Sequence, residues 1–346
     1  MIRTLIVDDS LLVRNILTEI LESDPEIKVV GTASNGLEAV HKAAELKPDI
    51  ITIDIEMPVM DGIEATKKIT DEYSIPILVI TDPEVRKKRE VPFYAIKAGA
   101  VDVLEKPNVS TKAKFKEISS QIIREVKIVS SIKILKRKKT KSIRPRKFDF
   151  VKSKRRKSDN IEIIVIGSSI GGPKGLLSIF ERLPGNYPVP IMVVQHIGKG
   201  FIDGLIKWIS LSTLLSVVVA KNGEKVKPGC IYFAPGGYHM KINSNGEIII
   251  YNGEPINSCK PSIDALFISA AESYKKRTLG ILLTGMGKDG AEGLLSIKNI
   301  GGRTIAQNEE TSLVFGMPAK AIEYGAANEV LPLEDIIAVV RNTGIK

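Results

Sequence analysis

Short runs of apolar, largely β-branched residues alternate with amphipathic stretches over the first third of the chain. The runs occupy residues 4–8, 28–33, 50–54, 77–81 and 101–105. Between the first two runs, the apolar residues follow the i, i+3, i+4 spacing of one helix face: Val13, Ile16, Leu17, Ile20 and Leu21. This alternation predicts five βα units on a parallel sheet, a doubly wound domain that binds ligands beyond the carboxyl ends of its strands.

A second alternating series begins near residue 160 and predicts a larger α/β domain. Its apolar runs occupy residues 161–167, 191–195, 216–220, 231–234, 278–284 and 303–306. Helical patterns cover 262–274 and 289–299, and turn residues from Asn243 to Gly246 predict a hairpin over 241–251. The length of 346 residues accommodates two domains, each with a core of its own.

A strongly basic segment separates the two series. Between Lys133 and Lys157 there are 14 Lys or Arg and one acid, Asp149, so the segment carries +13. The whole chain carries +10, which leaves the remainder at −3. A block of like charges repels itself and is typical of a solvated linker, so we expect no nucleic-acid partner. The predicted organisation is a domain over 1–125, a linker over 126–159 and a second domain over 160–346.

Composition and hydropathy predict a globular protein of the cytoplasm. Apolar residues make up 43% of the chain and charged residues 26%. No apolar run approaches the roughly 18 residues that span a bilayer, and a strand-like run begins at once, with no signal peptide before it. Cys230 and Cys259 form no CxxC pair, so they supply neither a disulfide framework nor a zinc site. We expect both to be buried small hydrophobes.

Polar residues follow three of the first five strands. Asp8 and Asp9 come after the first strand, Asp54 after the third and Lys106 after the fifth. Because doubly wound geometry gathers these strand ends into one crevice, the carboxylates suit Mg²⁺, which prefers oxygen ligands. A carboxylate there can accept a phosphoryl group, and the Thr81 hydroxyl and the Lys106 ammonium suit reading it.

This set resembles the receiver domain of two-component signalling, above all in the run D-I-E-M-P-V-M-D-G over 54–62. The resemblance implies a flavodoxin-like (βα)5 fold with Asp54 as the phosphorylated residue. It also implies a cis peptide bond before Pro107 and Thr81 and Lys106 as phosphate-reading residues. The implied Mg²⁺ ligands are Asp8, Asp9, Asp54 and the backbone carbonyl of Glu56.

The second domain opens on a strand that enters a turn of small residues, Gly167-Ser168-Ser169-Ile170-Gly171-Gly172. Such a turn exposes the Ser169 hydroxyl, and the helix N-terminus that follows can stabilise an oxyanion. Pro173 stands where a Walker A loop has lysine, and Ser169 where a dinucleotide-binding loop has glycine. The turn favours a serine nucleophile, although an ordinary strand–turn–helix has the same pattern.

A serine nucleophile needs a base, and the chain has three histidines. We expect His41 to be a solvated residue of the first domain. His196 ends a strand on the sheet edge of Ser169, and His239 is the competing candidate, for which a positioning or packing role is favoured. Asp289 lies at another strand end and completes a Ser169–His196–Asp289 triad, although it could instead cap the helix that follows it.

These motifs resemble the catalytic domain of the chemotaxis protein-glutamate methylesterases, the CheB family. The matching segments are 167–172, 195–196, 234–240, 259–264 and 283–291. The resemblance implies a larger doubly wound hydrolase domain with Ser169 as nucleophile, His196 as base and Asp289 as orienting acid. It also places the Met286 N–H beside the oxyanion and requires no cofactor for hydrolysis.

The implied activity is phosphorylation-activated hydrolysis of glutamate γ-methyl esters on chemotaxis receptors, with release of methanol and deamidation of receptor glutamines. The implied partners are methyl-accepting receptors, through which alone the protein meets the membrane, and a chemotaxis histidine kinase as phosphodonor. Two alternatives remain open. A DNA-binding response regulator would use the basic segment, and a generic serine esterase would act on small esters.

Overall fold

The structure, a computed structural model, describes residues 1–85, 88–107, 112–132 and 160–344. The basic segment between Lys133 and Lys157 lies outside these residues. No helix among them has the length and hydropathy that a membrane crossing requires.

The first unit is a five-stranded parallel sheet in the order β2-β1-β3-β4-β5. Its strands are β1 Ile2–Val7, β2 Ile27–Ala33, β3 Ile50–Ile53, β4 Ile77–Thr81 and β5 Asp102–Glu105. Its helices are α1 Leu11–Glu22, α2 Gly36–Leu46, α3 Gly62–Tyr73, α4 Val91–Ala98 and α5 Lys112–Ser130. This order is the flavodoxin-like one, as predicted.

The second unit is a seven-stranded parallel sheet in the order β14-β13-β12-β6-β7-β9-β8, with β10 and β11 as a separate antiparallel hairpin. Its strands are β6 Ile163–Ser168, β7 Ile191–Gln195, β8 Ser216–Val219, β9 Cys230–Phe233, β10 His239–Ile242, β11 Ile248–Tyr251, β12 Thr278–Leu282, β13 Arg303–Gln307 and β14 Glu329–Leu331. Its helices are α6 Gly172–Phe180, α7 Ile202–Ser210, α8 Ile263–Tyr274, α9 Ala291–Asn299, α10 Met317–Glu323 and α11 Leu333–Asn342.

The strand order reverses between β6 and β12. On one side of β6 the sheet continues with β7, β9 and β8, and the chain then crosses to the other side of β6 to form β12, β13 and β14. A reversal of this kind opens a crevice at the carboxyl ends of the two central strands. The sheet thus positions the turns after β6, β7 and β12 around one crevice.

Apolar side chains join the two units. Phe93 of α4 stacks on Trp208 of α7 with ring centroids 5.7 Å apart, and both rings are buried. Charged residues flank this contact: Arg89 pairs with Asp203, and Lys207 lies 3.1 Å from Glu90. Because large aromatic surfaces are removed from water here, the contact favours association of the units.

The predicted architecture is confirmed, with differences at its edges. The three-residue strand β14 was not predicted, because so short a segment has no periodicity to detect. Helix α5 runs to Ser130 and so passes the boundary expected at residue 125. The hairpin begins at His239, ahead of the expected residue 241.

Candidate active site and receiver crevice

The Ser169 turn leaves β6 at the strand-order reversal. Ser169 N donates to Thr284 O over 3.1 Å, and Gly172 N donates to Ser169 O over 2.8 Å. Gly171 adopts a φ of 76°, a left-handed conformation that disfavours side chains, at the N-cap position of α6. A Cβ at Gly172 would come within 2.2 Å of Gln195 Oε1. The small residues therefore serve both a sharp bend and close packing.

Gln195, the last residue of β7, connects the Ser169 turn to the His196 turn. Ser168 Oγ donates to Gln195 Oε1 over 2.6 Å. Gln195 Nε2 donates to Ser169 O over 2.8 Å and to His196 O over 2.9 Å. The side chain is buried, so these contacts are made in a medium where a missing partner is costly. One amide thus fixes the backbone on both sides of the crevice.

His196 and Asp289 lie together as predicted. His196 Nε2–H donates to Asp289 Oδ2 over 2.9 Å, so the lone pair of the neutral ring is on Nδ1, which faces Cys259 Sγ at 3.8 Å. Burial lowers the pKa of His196, but the hydrogen bonds with Asp289 and Cys259 outweigh it and raise the pKa to about 9. No hydrogen bond joins Ser169 Oγ to His196 among the residues the structure describes.

The carboxylate of Asp289 is held by the N-terminus of a neighbouring helix. Ile263 N donates to Asp289 Oδ2 over 2.7 Å, and Asp264 N and Ser262 Oγ donate to Oδ1 over 3.2 and 2.8 Å. Burial raises the pKa of Asp289, but the bonds with His196 and these donors lower it below its usual value. The alternative that Asp289 caps its own helix is wrong, because Gly290 occupies the N-cap position of α9.

The other two histidines take the places expected of them. His41 is exposed on α2. His239 is fully buried and stacks on Tyr251, with its Nε2–H donating to Glu254 O over 2.9 Å. Its Nδ1 accepts from Ser262 N over 3.1 Å, so His239 supports the residue that in turn donates to Asp289. This geometry supports a positioning role.

Two residues of the segment 259–264 matter more than sequence reasoning recognised. Asp264 is buried and accepts from Gly293 N and from Asn257 Nδ2 over 2.7 Å each. Asp264 of α8 thus accepts a hydrogen bond from α9, while Asp289, just before α9, accepts hydrogen bonds from α8. Burial raises the pKa of Asp264 to about 7.

Cys230 is buried as expected, but the expectation for Cys259 is wrong: Cys259 is half-buried and lies 3.8 Å from His196 Nδ1. The segment matched the family, yet spacing alone gave these residues no role.

The receiver residues gather at the carboxyl edge of the first sheet. Lys106 Nζ lies 2.8 Å from both Asp8 Oδ2 and Asp54 Oδ2. The carboxylates of Asp8, Asp9 and Asp54 offer oxygens that all lie within 4.8 Å of one another, a spacing that suits a hard divalent cation. Burial raises the pKa of Asp8.

The remaining receiver residues divide between the crevice and the surface. Thr81 is buried at the end of β4, where its carbonyl accepts from Lys106 N, and Glu56 is exposed. The cis bond expected before Pro107 is wrong, since the one cis bond in the described residues precedes Pro261. Trans is the lower-energy isomer even before proline.

The face of the first unit that carries α5 lies beside the crevice of the second unit. Met286, in the turn after β12, lines an open surface groove of about 460 Å³ with Ile123, Arg124 and Ile128 of α5. Ile170, next to Ser169, is buried in the same apolar cluster as the inner face of α5. The receiver therefore covers part of the rim around the Ser169 turn.

Comparisons with known proteins match both units. The family model described as CheB methylesterase matches residues 164–340, and that of the response regulator receiver domain matches residues 4–116. The protein-glutamate methylesterase/protein-glutamine glutaminase 1 of Syntrophus aciditrophicus is 43% identical, over 98% of this chain and 97% of its own. A relative of the same name from Archaeoglobus fulgidus is 40% identical, over 96% and 95%. The crystal structure of the Thermotoga maritima CheB methylesterase catalytic domain is 43% identical, covers 53% of this chain and 98% of its own, and gives a TM-score of 0.51.

Proposed function

Since the chain belongs to the CheB methylesterase family and carries a response regulator receiver domain, we propose that it hydrolyses glutamate γ-methyl esters on chemotaxis receptors with a Ser169–His196–Asp289 triad. The observation that carries this proposal is the His196–Asp289 hydrogen bond at the strand-order reversal, beside the turn that presents Ser169. The assignment of residues 164–340 to the methylesterase family favours hydrolysis over a DNA-binding output.

The tautomer of His196 defines the direction of proton transfer. With Nε2–H committed to Asp289, Nδ1 is the nitrogen that takes the Ser169 proton as Oγ attacks the ester carbonyl. The same nitrogen then protonates the departing methoxide, which leaves as methanol. Water hydrolyses the acyl-Ser169 intermediate by the reverse proton transfers. The hydrogen bond between Ser169 and Nδ1 forms when substrate is bound, since such bonds are commonly long without substrate.

The turn after β12 supplies the oxyanion donor. Met286 N–H donates to no acceptor among the residues that the structure describes, and Gly285 packs directly on Ser169. An uncommitted backbone donor next to the nucleophile can stabilise the charge of the tetrahedral intermediate. Amides pass through the same kind of intermediate, so deamidation of receptor glutamines belongs to the same proposal.

The receiver regulates the hydrolase by its position. The Asp8, Asp9 and Asp54 carboxylates and the Glu56 carbonyl would hold Mg²⁺, which supplies charge neutralisation for phosphoryl transfer to Asp54. Phosphorylation gives Lys106 and Thr81 a new anion to contact and draws Lys106 from its present carboxylate partners. The resulting shift loosens the contacts of α4 and α5 and uncovers the rim at Met286.

The phosphodonor is a chemotaxis histidine kinase, and the protein meets the membrane only through its receptor substrates in the cytoplasm. Both cysteines are unpaired, which fits a reducing compartment.

Methanol release from receptor membranes tests the proposal. Membranes whose receptors carry labelled methyl esters are incubated with the intact protein, with and without a small phosphodonor and Mg²⁺. Volatile methanol should appear with the wild type and be absent with Ser169→Ala. Turnover of p-nitrophenyl esters without methanol release would instead indicate a generic serine esterase.

A further inference from the structure

The Cys259 thiol lies within hydrogen-bonding distance of Nδ1 of the His196 imidazole. Cys259 Sγ is 3.8 Å from His196 Nδ1, and both side chains keep some exposure to solvent. The ligand atoms of Cys259, His196 and Asp289 all lie within 4.8 Å of one another. The hydrolysis described above uses His196 and Asp289 and assigns the thiol no step.

The separation of sulfur and nitrogen matches that of two ligands on one metal ion. Zinc–sulfur bonds are about 2.3 Å long and zinc–nitrogen bonds about 2.0–2.1 Å. At a tetrahedral angle, these lengths place the two ligand atoms about 3.6 Å apart. The observed 3.8 Å between Sγ and Nδ1 needs only a small adjustment of two side chains at the rim of the crevice.

The second ring nitrogen of His196, Nε2, has a carboxylate partner of the kind that metal-binding histidines commonly have. Such a histidine commonly donates its second ring N–H to a carboxylate, which fixes the tautomer and directs the lone pair at the metal. Asp289 accepts from His196 Nε2 over 2.9 Å and is itself fixed by the N-terminus of α8. This carboxylate is independent of the thiol and prepares Nδ1 for a cation.

We propose that His196 Nδ1 and Cys259 Sγ bind a thiophilic divalent cation such as Zn²⁺, and that the bound cation reversibly inhibits the hydrolase. An imidazole and a thiolate favour such ions over Mg²⁺. Binding releases the thiol proton to solvent and forms metal–sulfur and metal–nitrogen bonds, with water or substrate oxygen at the remaining positions. Inhibition follows because the metal occupies the lone pair that would accept the Ser169 proton. The inhibition, unlike the binding, rests on the proposed function.

Cobalt absorption tests the binding without reference to activity. The intact protein is titrated with Co²⁺ in excess Mg²⁺, which occupies the receiver carboxylates, and the thiolate-to-cobalt charge-transfer band is recorded. The band should appear in the wild type and in Cys230→Ala, whose thiol is buried in β9, and disappear in Cys259→Ser. A wild type without the band, or a band that persists in Cys259→Ser, would overturn the proposal.

Zinc inhibition tests the consequence. Each variant is assayed at increasing Zn²⁺ and compared with its own metal-free rate, and EDTA is then added. The wild type and Cys230→Ala should lose activity and recover it with EDTA. Cys259→Ser should need more Zn²⁺ by at least the roughly 10- to 100-fold that loss of an outer partner costs. Equal sensitivity of Cys259→Ser contradicts the site. A Cys259-dependent cobalt band in a protein that hydrolyses no ester would refute the proposed function and leave the metal site intact.

Discussion

The two crevices of this chain are built alike and balance their carboxylates differently. Each lies beyond the carboxyl ends of parallel strands. In the receiver, Asp8 and Asp54 share one cationic partner, the Lys106 ammonium group, and each accepts one further bond from a nearby backbone N–H. In the hydrolase, Asp289 is held by two backbone N–H groups at the start of α8 and by Ser262.

The difference concerns which partner can move. A lysine has a flexible stem, so an incoming phosphoryl group can compete for its ammonium group. Backbone donors at a helix N-terminus are fixed by the helix, so Asp289 keeps its orientation through a catalytic cycle. A switch needs the first arrangement, and a preorganised triad needs the second.

The largest expected effect is on the fixed crevice. Ser169→Ala should lower kcat by about 10⁴-fold or more while the fold is retained, because the nucleophile is lost. His196→Ala should do nearly the same. His239→Ala should do much less, because His239 acts through Ser262. Methanol release and circular dichroism check this, and a dead His239→Ala beside an active His196→Ala would reverse the assignment of the base.

The next test weakens preorganisation without changing side-chain size. Gln195→Glu replaces the Nε2 donor by an oxygen that faces the carbonyls of Ser169 and His196, so repulsion should displace both turns. A displacement of about 1 Å can cost about 100-fold in rate. We expect a loss of that order in kcat with a smaller change in KM, measured by methanol release.

A matched control makes the reverse isosteric change far from the crevice. Glu247 lies at the turn of the β10–β11 hairpin, where its carboxylate accepts from Asn243 Nδ2 over 3.0 Å. Glu247→Gln should therefore leave kcat and KM unchanged. If Gln195→Glu were equally silent, the amide would not be what holds the two turns in place.

The pH dependence of kcat/KM tests the same crevice, with a smaller expected change in rate. Only neutral His196 can accept the Ser169 proton, and its pKa is raised to about 9. With EDTA present, kcat/KM should therefore rise about tenfold per pH unit below that value and level off above it. Cys259→Ser removes one cause of the raised pKa and should move the rise to lower pH. A rate that is flat from about pH 7 upward would contradict this environment for the base.

The smallest expected effect on activity comes from phosphorylation at the receiver crevice. A small phosphodonor with Mg²⁺ should raise the activity of the intact protein by on the order of fivefold or more, a usual size for coupling between sites. Asp54→Asn should remove this response and keep the basal rate. Glu56→Gln alters an exposed side chain and should retain the response, because the metal ligand expected there is a backbone carbonyl. A phosphodonor response in Asp54→Asn would place the phosphorylated residue elsewhere.

Sequence periodicity sufficed for the architecture and for the residues that end its strands. The runs ending at Asp8, Asp54 and Thr81 lie where parallel-strand geometry requires them, and the Ser169 turn follows its strand as expected. Strand β14 escaped prediction because three half-exposed residues carry no pattern.

The contacts that refine the active site could not be predicted in the same way. Asp264 reaches the site through the packing of α8 against α9, Cys259 through the turn that precedes α8, and Gln195 through the register of β6 and β7. These contacts depend on distances between elements that lie far apart in sequence. Only the match of the segment 259–264 to a family indicated that it mattered.

The stacked aromatic pair between the two units has an optical consequence. Trp208 is the one tryptophan of the chain, and its indole is buried against Phe93 of the receiver. Indole emission shifts to longer wavelength when water reaches the ring, so a separation of the units would be visible in the intrinsic fluorescence of the unlabelled protein. Trp208 fluorescence therefore reports separation of the two units. Stopped-flow mixing with a phosphodonor would compare the time at which the units separate with the time at which methanol release begins.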